Sequence, residues 1–126
     1  MPSTLRPILR ACIPWLLLAL FLGVGTQIGL AGAGLLSHPG SLQVHRDLAP
    51  WLNGLALATL AAALAARDLP VALGSGATLV LLLLQGPFIR SLGFTRALHA
   101  IDALLAFAIC LLLLRERLPF RRSPAP

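Results

Sequence analysis

Four apolar runs, each long enough to cross a lipid bilayer as a helix, are separated by short polar connections at about 11–36, 46–66, 71–89 and 97–114. A hydrocarbon core of about 30 Å takes roughly 20 helical residues per crossing, so each run spans it once. Backbone N–H and C=O groups find no water in lipid, and a helix satisfies them internally. The chain is therefore expected to be an all-α integral membrane protein. Short connections make it a four-helix up-down bundle, one domain over 1–126 with a basic, proline-rich tail over 115–126. With 58% hydrophobic and 11% charged residues, it has too little polar surface to cover a soluble globule.

All ten basic residues are arginine, against four acidic ones, for a net charge of +6. The arginines cluster at the ends of the apolar runs, where they serve topology and lipid headgroups rather than nucleic acid. With both termini in the cytoplasm, Arg6, Arg10, Arg67, Arg115, Arg117, Arg121 and Arg122 lie inside. Arg46, Arg90 and Arg96 lie outside. That orientation obeys the positive-inside rule and places the chain as a multi-pass protein of a bacterial inner membrane.

A basic N-terminus before an apolar run also fits a signal peptide, but this run is too long for one, and a retained first helix is expected. Within it Gly25, Gly29 and Ala33 recur every fourth residue, a spacing that lets helix backbones approach closely in lipid. This face packs against a neighbouring helix, a membrane-protein partner or a second copy. Ser37-His38-Pro39-Gly40-Ser41 reads as a turn. Pro50 sits comfortably if the second helix starts near Asp47, whose carboxylate would then cap it; a start near Ser41 would put Pro50 inside and kink the helix. Arg67-Asp68-Leu69-Pro70 reads as a tight connection, and Gly86-Pro87 as the end of the third helix. Gln27, Asn53 and Gln85 read as interhelical hydrogen bonders, and Cys12 and Cys110 as reduced packing residues.

His45 and His99 open the second and fourth helices and so descend from the same side. Those helices are diagonal in an up-down bundle. Neighbouring axes about 8–10 Å apart put the diagonal at about 11–14 Å, a gap two imidazoles and one metal bridge. Haem fits, because its iron takes a neutral imidazole nitrogen on each face. Stepping by three or four from His45 gives Ala49, Leu52, Ala56, Thr59 and Ala63, and from His99 gives Ala103, Ala106 and Cys110. These mostly small faces allow close contact, or room for a macrocycle. Arg46, Arg90 and Arg96 are placed to pair with propionates. Asp102, one turn inside the membrane, calls for a partner or a job.

Gln27-Ile28-Gly29-Leu30-Ala31-Gly32, His45-Arg46 and Leu98-His99-Ala100 together resemble one four-helix half of the haem A synthase family of cytochrome oxidase assembly proteins. They also resemble small uncharacterised four-helix bacterial membrane proteins with the same histidine pattern. The resemblance implies a haem b held by a histidine pair at the outer ends of the second and fourth helices, here His45 and His99. The chain departs from that family in having one half rather than two. Leu42 stands where the catalytic half has a glutamate, and the outer-loop cysteine pair is missing. Haem binding carries over under this resemblance and haem oxidation does not, and no catalytic residue is assigned.

The leading expectation is a membrane haem b-binding module for electron transfer or haem handling. A cofactor-free structural or interaction protein is the second reading. A small transporter, with Asp102 and the histidines forming an ion path, is the third.

Overall fold

The structure, a computed structural model, describes residues 5–90 and 94–117, with side chains from 88 to 97 left out. Its four helices are α1 (Leu5–Leu36), α2 (Gly40–Ala66), α3 (Leu69–Arg90) and α4 (Phe94–Arg117). No strand occurs among the described residues. α1 packs against α2 and α4, and α3 against α2 and α4, with the α1–α4 seam the sparsest. α2 and α4 therefore face each other across the diagonal.

The helices run longer than the apolar segments that predict them. α1 has 32 residues, about 48 Å at 1.5 Å per residue, so Leu5 to Arg10 continue the helix beyond the apolar run. α2 begins at Gly40, not near Asp47, and Asp47 is no cap; Pro39 precedes the first turn without a side-chain cap bond. The whole polar stretch from Gln43 to Pro50 is thus helical, and Pro50 lies inside, where it leaves the Arg46 carbonyl without its usual donor. Leu69 and Pro70 likewise belong to α3 rather than to a connection, and α3 passes Pro87 to reach Arg90. The predicted tail beyond Arg117 lies outside the described residues.

The connections are closed by their own backbones. After α1, the N–H groups of Ser37 and His38 both return to the Ala33 carbonyl, at 3.1 and 2.9 Å. After α2, Arg67 is left-handed at φ 57° and ψ 45°. Its N–H bonds the Leu64 carbonyl, and the Asp68 N–H bonds that of Ala63, the paired closure that ends many helices, most often with glycine at the left-handed position. Asp68 then starts α3, accepting from the Val71 N–H at 3.4 Å, and pairs with Arg117 of α4 at 2.8 Å. Its carboxylate ties α3 to α4 at this end, while its backbone N–H closes α2.

Six alanines, Ala56, Ala62, Ala63, Ala66, Ala72 and Ala106, share the interior with larger side chains such as Ile13, Leu17, Leu20, Val24 and Val71. Many further large side chains point outward, among them Leu22, Leu57, Leu73, Val80, Leu104 and Leu112. Trp15 and Trp51 are 72% and 77% exposed. A surface richer in leucine than the core, on four helices long and apolar enough to cross a membrane, is the arrangement of a multi-pass membrane protein, whose helices associate by close packing rather than by fleeing water. Buried hydroxyls are spent on their own helices: Thr59 bonds the Leu55 carbonyl, Ser75 that of Val71 and Thr78 that of Gly74.

A Cβ added at Gly74 would meet Leu113 of α4 at 2.6 Å, whereas nothing lies within 4 Å of one added at Gly29. Gly74→Leu should therefore lower stability by about 1–3 kcal/mol through overpacking, while Gly29→Ala should leave it unchanged or raised. Thermal unfolding in detergent, followed by circular dichroism, checks both.

Candidate functional site

Polar side chains from all four helices converge on one end of the bundle, at the α1–α2 connection. α1 supplies Gln27, α2 His45 and Asn53, α3 Gln85, and α4 His99. These line a cavity of about 270 Å³ whose other walls include Ala31, Gly32, Ala49, Ala100 and Ala103. Leu35 and Leu104 also line it and are mostly exposed, so its mouth lies on the α1–α4 side. Leu52, Val24 and Leu82 form its inner wall, continuous with the buried cluster that includes Leu20, Ala56 and Ala106. Phe21 and Phe107 stack across that seam at 4.6 Å.

Gln27 and His45 bind each other twice. The Gln27 side-chain amide donates to the His45 carbonyl at 2.9 Å. The His45 Nδ1 lies 3.1 Å from the Gln27 carbonyl oxygen. A carbonyl only accepts, so Nδ1 carries the proton and the lone pair is left on Nε2. A polar residue in α1 thereby orients the ring on α2.

His99 stands across the cavity from His45, with Gln85 of α3 in the same lining, and its Nδ1 is buried without a partner. Asp102, one turn further along α4, is 4% exposed, and its Oδ2 is likewise without a partner.

The two imidazoles meet with ring centroids 6.1 Å apart and planes at 77°. A ring nitrogen lies about 1.1 Å from its ring centre and a metal–imidazole bond is about 2.0–2.1 Å, so two rings on opposite faces of one metal sit about 6.3 Å apart. Edge-to-face ring contact covers a similar range, about 4.5–7 Å. Unspent hydrogen-bonding capacity separates the two cases. Among the described residues the buried side-chain N and O atoms lacking a partner are Gln27 Oε1, His99 Nδ1 and Asp102 Oδ2. All three belong to this one end, where buried polar atoms are normally satisfied. No group of three or more His, Cys, Asp or Glu able to hold a metal occurs among the described residues, so a metal here would rest on the two histidines and a ligand of its own.

The other sequence candidates divide. Ala49 and Ala103 line the cavity and Leu52 its inner wall, while Ala56, Thr59, Ala63, Ala106 and Cys110 are buried below. Arg46 is exposed and not part of the lining. The side chains of Arg90 and Arg96 lie outside the described residues. Gly25 packs inside the bundle, facing the Phe107 ring, while Gly29 is exposed and open, so the small-residue face is split between the fold and the surface. Cys12 is exposed and Cys110 buried, both free, with Cys110 Sγ 3.9 Å from the Thr78 hydroxyl. His38 stays in the turn, 2.7 Å from the Ser37 hydroxyl.

Sequence reading assigned Gln27 and Gln85 to generic helix contacts and missed that Gln27 bonds His45 and that both glutamines line the cavity beside the histidines. Counting depth along alternately directed helices would have found them, since both lie at the level of the histidines.

The fold and site define a class: a four-helix membrane-type bundle with, at one end, a largely apolar chamber into which a few polar side chains project. No family model matches the chain, and no curated protein or solved structure matches it either.

Interhelical hydrogen bonds in membrane bundles average about 0.6 kcal/mol each. Gln27→Leu removes the side-chain bond to the His45 carbonyl and should cost roughly that much, whereas Gln43→Leu, which loses only the exposed 3.0 Å contact to Asp47, should cost nothing measurable. Thermal unfolding of the two variants side by side decides it; equal midpoints would show that the Gln27 contact is not structural.

Proposed function

We propose that the protein is a bacterial inner-membrane haem b-binding module, with both termini cytoplasmic, serving electron transfer or haem handling rather than catalysis. The observation that carries this reading is the pair of imidazoles with centroids 6.1 Å apart, with the His45 Nδ1–H held by the Gln27 carbonyl and the His99 Nδ1 buried without a partner. A second partner of the kind His45 has is what orients a metal-binding histidine and raises its basicity.

In this reading His45 and His99 would hold the haem iron. The Gln27 carbonyl, accepting from the His45 Nδ1–H, keeps that ring in the tautomer that leaves Nε2 free. Ala31, Gly32, Ala49, Ala100 and Ala103 leave space that larger side chains would fill. Arg46, Arg90 and Arg96, near the same end in sequence, are assigned to the propionates. A haem held there supplies one-electron transfer, with a potential tuned by the ligands and the burial around them.

The test is an absorption spectrum of the detergent-purified protein, oxidised and reduced, beside His45→Ala and His99→Ala. The expected outcome is a Soret band and a sharp reduced α-band, both lost in each single variant. A protein that stays colourless after haem is supplied would remove this reading and leave the cofactor-free structural role.

A further inference from the structure

At the opposite end of the bundle three arginines from three segments surround a second cavity, of about 430 Å³, independent of the chamber above. Arg10 enters from α1, Arg67 from the α2–α3 connection and Arg117 from the end of α4, with Asp68 among them and Ile13 and Leu69 as its apolar wall. Arg117 is already paired with Asp68 at 2.8 Å. Arg10 and Arg67 form no ion pair among the described residues, and both are exposed. Two guanidinium groups thus remain for an anion, and a planar fork of donors suits phosphate oxygens.

The position decides what kind of phosphate. Arg67 and Arg117 stand at the ends of candidate membrane spans and Arg10 near the start of another. Around them the surface turns apolar within a turn or two, through exposed Ile8, Trp15, Leu69 and Leu73. A ligand with a charged phosphate above and hydrocarbon below matches that boundary better than a free ion. Basic pockets between helices at such a level hold lipid headgroups.

We infer that Arg10 and Arg67, with the Arg117–Asp68 pair as the floor, form a binding site for the phosphodiester headgroup of an anionic phospholipid. Arg67 occupies a left-handed position at φ 57°, which a non-glycine residue adopts only at a steric cost. Glycine would close the turn without that cost, and arginine there has a use in the headgroup contact.

Native mass spectrometry of the full chain in detergent, titrated with phosphatidylglycerol or with phosphatidylcholine of the same acyl chains, reads the site directly. One phosphatidylglycerol should be retained at concentrations at least about tenfold below those needed for phosphatidylcholine. Arg10→Gln/Arg67→Gln should erase that preference. Arg6→Gln/Arg115→Gln, which removes the same charge from the same end but touches no part of the cavity, should keep it. Circular dichroism verifies that both double variants remain helical. Equal retention of the two lipids by the unaltered protein, or equal loss of preference in the two double variants, would overturn the site, the second by showing diffuse attraction to a basic end. Displacement of the lipid by millimolar inorganic phosphate would overturn the lipid assignment in favour of a free-anion site.

Discussion

Close approach of helix backbones, allowed where alanines are buried between them, is the constraint from which both the packing and the cavity follow. Lipid tails are as apolar as leucine, so burying large side chains gains little in a bilayer, and contact between small surfaces gains more. Ala62, Ala63, Ala66 and Ala72 supply that contact at the arginine end, with Ile13, Leu17 and Val71 filling the rest. Toward the other end small residues meet across the diagonal, where no neighbouring helix closes on them. Ala49 and Ala103 then line space instead of filling it. The same residue choice yields core where helices are neighbours and chamber where they are not.

The number, order and approximate placement of the helices were legible because apolar run length is a direct reading of membrane thickness. Their ends were not. Hydropathy stops at the first polar residue, but a helix continues as long as its backbone bonds are better kept than broken, which is why α2 takes in the stretch from Gly40 to Asp47 and α1 reaches back to Leu5. Pro50 and Pro87 misled for a related reason: proline is a strong breaker in water, yet neighbouring helices make it tolerable inside a membrane segment.

The chamber was legible in outline. The small faces below His45 and His99 followed from a step of three or four, and those residues are buried or line the cavity. What no linear pattern contained was the distance between the two rings, the paired bonds between Gln27 and His45, or the burial of Asp102 at the same end. Those are contacts between helices, decided by rotation about each axis, and single polar residues such as Gln27 and Gln85 leave the rotation open. The arginine end was hidden differently. Arg10, Arg67 and Arg117 read as topology signals, and only the fold brings these three, far apart in the chain, around one cavity.

The hydroxyls of Thr59, Ser75 and Thr78, each turned back on its own helix, give the molecule an electrical sidedness. Below the chamber the described interior is alanine, leucine, isoleucine and valine, with those hydroxyls already satisfied and the Phe21–Phe107 stack across one seam. A charge in the chamber is separated from the far end of the bundle by that apolar packing. Lying near one end, it feels only a part of the roughly 2.3 kcal/mol that 100 mV imposes on a unit charge making the whole crossing, so a redox or titration event there would be only weakly voltage-dependent.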